Sequence, residues 1–134
     1  MKKVLFALLI LAVLALSISA SFADSSINNA TDLNGAINQA RGENKSVMIF
    51  FDQENCYYCD LFKDNVLSNG DVISELNRKC VLVVIDVNKH PEIASKFKVF
   101  GTPTVVFLDS NQKEIERIDG YVSANEFLNI VKGI

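Results

Sequence analysis

The sequence has few of the cysteine and histidine residues that hold structural zinc or attach a haem. Its 134 residues include one histidine and three cysteines. A structural zinc site usually takes four Cys or His ligands, so such a site would have to recruit all four of these residues from distant parts of the chain. Haem attachment uses the sequence C-x-x-C-H, whereas Asp60 follows the C-x-x-C of this chain. We therefore expect neither a metal nor another cofactor.

The chain also lacks an excess of basic residues. It has 13 Lys and Arg against 16 Asp and Glu, which gives a net charge of −3. Nucleic-acid-binding domains usually carry a basic surface, so we expect no nucleic-acid partner. Internal repeats, linkers and low-complexity tracts are absent as well, and the length suits one domain.

The N-terminal segment lacks the length of a membrane-spanning helix. Two lysines precede an apolar run of 13 residues, Val4 to Leu16, whereas a bilayer span takes about 20 residues. Ser21 and Ala23 stand at the −3 and −1 positions of a cleavage site, and no cysteine follows as a lipoprotein signal would require. This three-part pattern is typical of a secretory signal peptide, which we predict for residues 1–23.

Removal of that segment would leave residues 24–134 as one exported domain with a net charge of −5. We expect this domain to be periplasmic or secreted. It would contact a membrane only if the N-terminal segment stayed attached as an anchor.

An odd number of cysteines in an exported protein leaves at least one thiol outside intramolecular disulfides. Cys80 opens the apolar run CVLVVIDV, which favours a buried apolar residue over a third redox or intermolecular thiol. A structural disulfide between Cys56 and Cys59 would constrain the unfolded chain little, because the entropy of loop closure grows with loop length. The pair therefore favours redox chemistry over a structural disulfide.

Apolar runs and turn residues predict four strands separated mostly by helices. SVMIFFD, CVLVVIDV and TVVFLD are short and continuous, as in buried strands, and KEIERIDG follows the third of these after a short turn. Helices are predicted from about Thr31 to Arg41, ended by Gly42, and from Ser123 onward with a capping box at Glu126. Three more helices lie between these, one of them with Pro91 at its first position. The order predicts an α/β fold: a mixed four-stranded sheet with helices on both faces.

The cysteine pair follows the first strand and opens a helix. Unpaired N–H groups and the positive end of the helix dipole favour a thiolate at a helix N-terminus, and the thiolate is the nucleophile in disulfide exchange. Cys59 lies one turn further along the same face, where it can attack a mixed disulfide made by Cys56. We therefore predict Cys56 as the nucleophile and Cys59 as the resolving thiol.

Residues 31–134 resemble the thioredoxin-like superfamily. The resemblance rests on SVMIFFD before C-Y-Y-C, on CVLVVIDV, and on GTPTVVFLD about 45 residues after the pair. It implies a thioredoxin-like fold and a thiol:disulfide oxidoreductase. It also implies that Pro103 is cis and packs beside the cysteines, and that the Thr102 backbone pairs with bound substrate as an added strand.

Two positions depart from the family pattern. Tyr57 and Tyr58 replace the dipeptides of well-known relatives, and they either line a substrate-contact surface or cover the first helical turn. Phe50 occupies the position of the family's buried acid. The proton acceptor for the resolving thiol is then Asp52, Glu54 or a water, although ordinary loop acids are the simpler interpretation of those two carboxylates.

The acids near the pair suggest the direction of electron flow. Asp52, Glu54 and Asp60 disfavour a nearby thiolate, and a less stable reduced form makes a more reducing protein. We therefore predict a monomeric, exported reductant of disulfide-bearing proteins or small disulfides, served by a separate electron donor or acceptor. The alternatives are a disulfide oxidant or isomerase, a non-enzymatic thioredoxin-like binding module, and a metal carrier that uses the cysteine pair.

Overall fold

A computed structural model describes residues 26–27 and 29–134, so the predicted signal peptide, residues 1–23, lies outside the described residues. The described chain forms a five-stranded sheet in the order β1-β3-β2-β4-β5. The strands are β1 (Asn29–Ala30), β2 (Ser46–Asp52), β3 (Cys80–Asp86), β4 (Thr104–Leu108) and β5 (Glu114–Asp119). The helices are α1 (Leu33–Glu43), α2 (Tyr57–Phe62), α3 (Gly70–Lys79), α4 (Pro91–Lys96) and α5 (Ala124–Gly133). A π-helical turn, Lys63–Leu67, continues α2.

Strand β2 is central and sets the position of the cysteine pair. It runs parallel to β3 and antiparallel to β4. Phe51, near the end of β2, is paired with Thr104, the first residue of β4. The segment that follows β2 and the segment that precedes β4 therefore meet at one edge of the sheet.

Alternate residues of β2 enter two apolar clusters, one on each face of the sheet. Met48 and Phe50 pack with residues from α2, α3 and α5. Val47, Ile49 and Phe51 pack with residues from α1 and α4 on the opposite face. Because side chains alternate along a strand, a continuous apolar run fits a strand that is covered on both faces. The predicted mixed sheet with helices on both faces is confirmed.

The number of strands differs from the prediction, which was four. The additional strand is β1, which has two residues and pairs in parallel with β3. A two-residue strand is too short to show an alternating pattern, so β1 could not be predicted from the sequence.

The first helix also ends later than predicted. Gly42 remains helical, and Asn44 ends the helix in the left-handed conformation, with φ of 53° and its N–H bonded to the carbonyls of Ala40 and Arg41. Asparagine tolerates this conformation better than most residues. The predicted Pro91 at the first turn of α4 and the Ser123 cap of α5 are both confirmed.

Candidate active site

The cysteine pair lies at the N-terminus of α2. Cys56 is the N-cap residue, with an extended backbone, and its Sγ accepts a hydrogen bond from the N–H of Cys59 at 3.2 Å. Asn55, with φ of 60°, turns the chain between β2 and the helix. A sulfur in this position faces N–H groups that have no partner inside the helix, which favours negative charge on Cys56 once the pair is reduced.

Cys56 and Cys59 form a disulfide with a Cα–Cα distance of 5.2 Å. Their exposures differ: Cys56 is partly exposed, whereas Cys59 is fully buried. A partner can therefore approach the sulfur of Cys56 but not that of Cys59.

The loop before β4 contacts this disulfide. The Thr102–Pro103 peptide bond is cis, which is the isomer that the resemblance implies. Thr102 Oγ1 lies 3.4 Å from Cys56 Sγ and 3.5 Å from Oε1 of Gln53. The carbonyl of Pro103 accepts a hydrogen bond from the N–H of Gly120 at 2.8 Å, which ties the loop to the end of β5. Two segments 46 residues apart in sequence thus form one site.

The surroundings of Cys59 are apolar. Phe50, which stands where the resemblance would place an acid, packs in the same cluster as Cys59 and lies 5.3 Å from Phe62 between ring centroids. Cys59 is therefore enclosed by apolar side chains and lies out of reach of a partner's sulfur.

A lysine joins two of the acids that flank the pair. Lys63 Nζ lies 3.0 Å from Asp52 Oδ2 and 3.0 Å from Asp60 Oδ1. Its hydrogen bond to Asp60, and then that to Asp52, raise the pKa of Lys63, while burial opposes them. Asp52 also accepts from the N–H of Gln53 at 2.8 Å, so both of its carboxylate oxygens are engaged, whereas Glu54 is exposed. The lysine offsets part of the negative charge beside the disulfide.

Three tyrosines form an aromatic surface beside the disulfide, defined here as Tyr57, Tyr58 and Tyr121. Tyr57 is 71% exposed and Tyr58 57% exposed, with their ring centroids 5.3 Å apart in an edge-on arrangement. Tyr121 lies 6.4 Å from Tyr58 and 6.2 Å from the core ring of Phe62. Tyr121, which the sequence analysis did not single out, therefore connects the exposed tyrosines to the core.

Phe100 is a second residue that the sequence analysis missed. It precedes Gly101 and Thr102 in the loop before β4 and is 96% exposed. A groove of about 850 Å³ is lined by this loop and by residues of β5, and its charged lining residues are Lys96, Lys98, Glu114, Arg117 and Asp119. Phe100 lies two residues before Thr102, whose hydroxyl contacts Cys56, so its ring is available to a molecule that binds along this loop.

Cys80 is distant from the pair. It is 2% exposed and is paired with Ser46 at the start of β2, whereas the disulfide follows the other end of that strand. Burial raises the pKa of the Cys80 thiol to about 12, against a smaller opposing effect of Lys79 and Lys45. The predicted buried apolar role of Cys80 is confirmed.

Within the described ranges, no helix is long and apolar enough to span a membrane.

Residues 33–133 match the family model of a thioredoxin-like domain. Two similar proteins are named thiol:disulfide interchange protein DsbD. That of Pseudomonas fluorescens is 28% identical over 117 residues, which cover 84% of this chain and 20% of the relative. That of Photorhabdus laumondii is 32% identical over 106 residues, which cover 75% of this chain and 18% of the relative. The chain thus spans about a fifth of the length of these relatives.

Two solved structures are similar in fold. A thioredoxin from Thermus thermophilus has a TM-score of 0.74 and 29% identity, with 81% of this chain and 86% of that chain covered. The C-terminal domain of Neisseria meningitidis DsbD, in the oxidised form, has a TM-score of 0.62 and 20% identity, with 72% and 88% covered. The second likeness concerns the fold alone.

The family match covers strands β2 to β5, the disulfide at the N-terminus of α2 and the loop that contains Pro103. The disulfide joins an accessible sulfur to a buried one, as thiol–disulfide exchange requires. This chain belongs to the thioredoxin-like family.

Proposed function

We propose that this protein is an exported reductase of disulfides in which Cys56 is the nucleophile and Cys59 the resolving thiol. The observation that carries the proposal is the difference between the two sulfurs. Cys56 is partly exposed and accepts the N–H of Cys59 at the start of α2, whereas Cys59 is buried. An accessible thiolate stabilised by an N–H donor is the species that attacks disulfides.

The reaction has two exchange steps. The Cys56 thiolate attacks one sulfur of the partner's disulfide, which forms a mixed disulfide and expels the partner's other sulfur as a thiolate. Cys59 then loses its proton and attacks Cys56 Sγ, which forms the Cys56–Cys59 disulfide and expels the second partner sulfur. Two electrons pass to the partner, and its two thiolates take up the Cys59 proton and a second proton from water. A separate dithiol protein, or a pair of small thiols, is oxidised to a disulfide and returns two electrons to the enzyme.

The partner's chain lies along the loop before β4 in this proposal. The backbone of Thr102 pairs with an extended segment of the partner, and Pro103 holds the loop against the disulfide. Tyr57 and Tyr58 provide apolar contact area on the other side of Cys56, since both rings are more than half exposed. The proposed substrates are therefore disulfide-bearing proteins. Small disulfides would contact Cys56 but neither the loop nor the tyrosines, and would be poorer substrates.

The proposed direction is reduction of the partner. Asp52, Glu54 and Asp60 outnumber Lys63 in the segment around the pair, so this segment is net negative even with the lysine bound to two of the acids. Negative charge makes the reduced, ionised form less stable, which lowers the reduction potential. The signal-peptide pattern of residues 1–23 supports an extracytoplasmic location, and the DsbD relatives, named for thiol:disulfide interchange, support the same chemistry.

The experiment compares cysteine variants of residues 24–134 in a disulfide reduction assay with insulin and a thiol donor. Cys56→Ser is expected to abolish turnover, and Cys59→Ala to accumulate mixed disulfides with the substrate. Cys80→Ala is the control and is expected to keep the parent rate, because that thiol is buried at the other end of the sheet. Retention of turnover by Cys56→Ser would refute the assigned roles.

The direction is tested separately by equilibration with glutathione. We expect a reduction potential near or below that of thioredoxins, about −270 mV. A value near that of strong oxidants, about −120 mV, would instead support the alternative function of disulfide formation.

A further inference from the structure

The hydroxyl of Thr102 has two hydrogen-bond acceptors within reach. Its Oγ1 lies 3.4 Å from Cys56 Sγ and 3.5 Å from the amide oxygen of Gln53. A hydroxyl has one hydrogen to donate, so it can serve only one of these acceptors at a time. The two contacts therefore compete.

The outcome of this competition depends on the redox state of Cys56. In the disulfide the sulfur is neutral and is a weak acceptor, so the amide oxygen of Gln53 is the better one. Reduction and ionisation convert the sulfur into a thiolate, and hydrogen bonds to charged acceptors are roughly twice as strong as neutral ones. The hydroxyl of Thr102 then has reason to turn from Gln53 to Cys56.

The position of Gln53 suits this role. Gln53 directly follows β2, and its backbone N–H is bonded to Asp52 Oδ1 at 2.8 Å, which fixes the backbone from which the amide reaches Thr102. The charged groups around Cys56 are Asp52, Glu54, Asp60 and Lys63. Gln53 is neutral, so it competes for the hydroxyl without changing the charge near the pair.

We propose that Gln53 is a positioning residue that holds the Thr102 hydroxyl while the pair is oxidised and releases it to the Cys56 thiolate after reduction. The hydroxyl stabilises the thiolate, and Gln53 limits that stabilisation because its bond to Thr102 must first be broken. Gln53 thereby makes the pair more reducing than it would be if only the helix N-terminus and the Thr102 hydroxyl acted on Cys56. This inference rests on the proposed role of Cys56 as the ionised nucleophile.

The test is a double-mutant cycle with Gln53→Ala and Thr102→Val. Valine keeps the branched shape of threonine and removes the hydroxyl, and Thr102→Ser is the matched control that restores it. The first readout is the pH at which half of Cys56 is thiolate, followed by ultraviolet absorbance of the reduced protein. The second is the equilibrium constant with glutathione.

We expect Thr102→Val to raise this pH midpoint by about one unit and to shift the glutathione equilibrium up to about tenfold towards the disulfide, which is about 30 mV. Thr102→Ser should stay near the parent. Gln53→Ala should shift the midpoint in the opposite direction, by about half a unit, because the hydroxyl is then free for the thiolate. In the Thr102→Val background, Gln53→Ala should have no further effect.

Two results would overturn the inference. One is a higher midpoint in Gln53→Ala, which would mean that the amide donates to Thr102 instead of accepting from it. The other is an equal effect of Gln53→Ala with and without the Thr102 hydroxyl, which would mean that the two residues act independently. Both are distinguishable from failure of the proposed function, because that function is tested by the turnover of Cys56→Ser and by the reduction potential of the parent protein, neither of which involves a Gln53 variant.

Discussion

Phe100 gives the sharpest test of how partners are recognised. The ring is 96% exposed, so nearly all of its apolar area is available to a partner that approaches the loop before β4. A phenylalanine can bury about 150–250 Å², and we take contact with about half of that, about 100 Å². At about 25 cal/mol per Å² this burial stabilises the complex by about 2.5 kcal/mol. Ordering of the side chain costs about 1 kcal/mol, which leaves about 1.5 kcal/mol, or roughly tenfold in affinity.

The assay compares Phe100→Ser with the parent on two kinds of substrate. With a protein disulfide such as that of insulin, we expect kcat/KM to fall about tenfold, mainly through KM. With hydroxyethyl disulfide, which is too small to reach Phe100 from Cys56, we expect no change. Ile115→Ser is the matched control, because Ile115 is an exposed apolar residue on β5, 42% exposed, and should leave both rates unchanged.

Two outcomes would refute this reasoning. If Phe100→Ser slows both substrates equally, the ring supports the disulfide itself and not the partner. If it slows neither, the exposed ring lies outside the contact surface, and the aromatic surface of Tyr57, Tyr58 and Tyr121 has to account for partner binding alone.

Two predictions concern stability. Burial raises the pKa of Cys80 from 9.0 to about 12. Between these two pH values the folded state keeps a proton that the unfolded state loses. The free energy of unfolding is therefore unaffected by this group below pH 9 and falls by about 1 kcal/mol per pH unit towards pH 12. Urea unfolding of a Cys56→Ser/Cys59→Ala protein with and without Cys80→Ala should show this extra loss only where Cys80 is present, and parallel pH profiles would contradict it. Lys79 Nζ donates to three carbonyls at the end of α5, at 2.6–3.1 Å, so Lys79→Met should destabilise the fold by about 1–2 kcal/mol. Lys132→Met, at an exposed position, is the control for Lys79→Met. Equal urea midpoints for the two variants would be evidence against stabilisation of the end of α5 by Lys79.

The central part of the fold could be predicted from the sequence because its signals are local. SVMIFFD is apolar at every position that the two faces of the sheet require, and β2 has the predicted bounds, Ser46–Asp52. The position of Cys56 at the N-terminus of a helix follows from the same run and from the apolar residues after Cys59. The two-residue strand β1 could not be predicted in this way, because its pairing with β3 depends on tertiary contact.

The positions of Cys56 and Cys59 could be predicted from the sequence, but the residues that surround them could not. In sequence, Phe100 looks like the other phenylalanines, most of which are buried, and its exposure depends on the path of the loop towards Pro103. The contact of the Thr102 hydroxyl with Cys56 Sγ joins residues that are 46 apart in sequence. A local sequence pattern gives no information about contacts over such a separation. Lys63 follows Asp60 by three residues, but its simultaneous bonds to Asp52 and Asp60 depend on how β2 and α2 pack.

The parallel pairing of β2 with β3 keeps the thiol of Cys80 away from the Cys56–Cys59 disulfide. Cys80 lies beside Ser46 at one end of β2, and the disulfide follows Asp52 at the other end, so the length of a seven-residue strand, about 20 Å, separates them. A thiol and a disulfide this far apart cannot exchange while the sheet is intact. Scrambled pairings within one chain can therefore arise only while β2 and β3 are unpaired, so folding itself keeps Cys80 from exchanging with the Cys56–Cys59 disulfide.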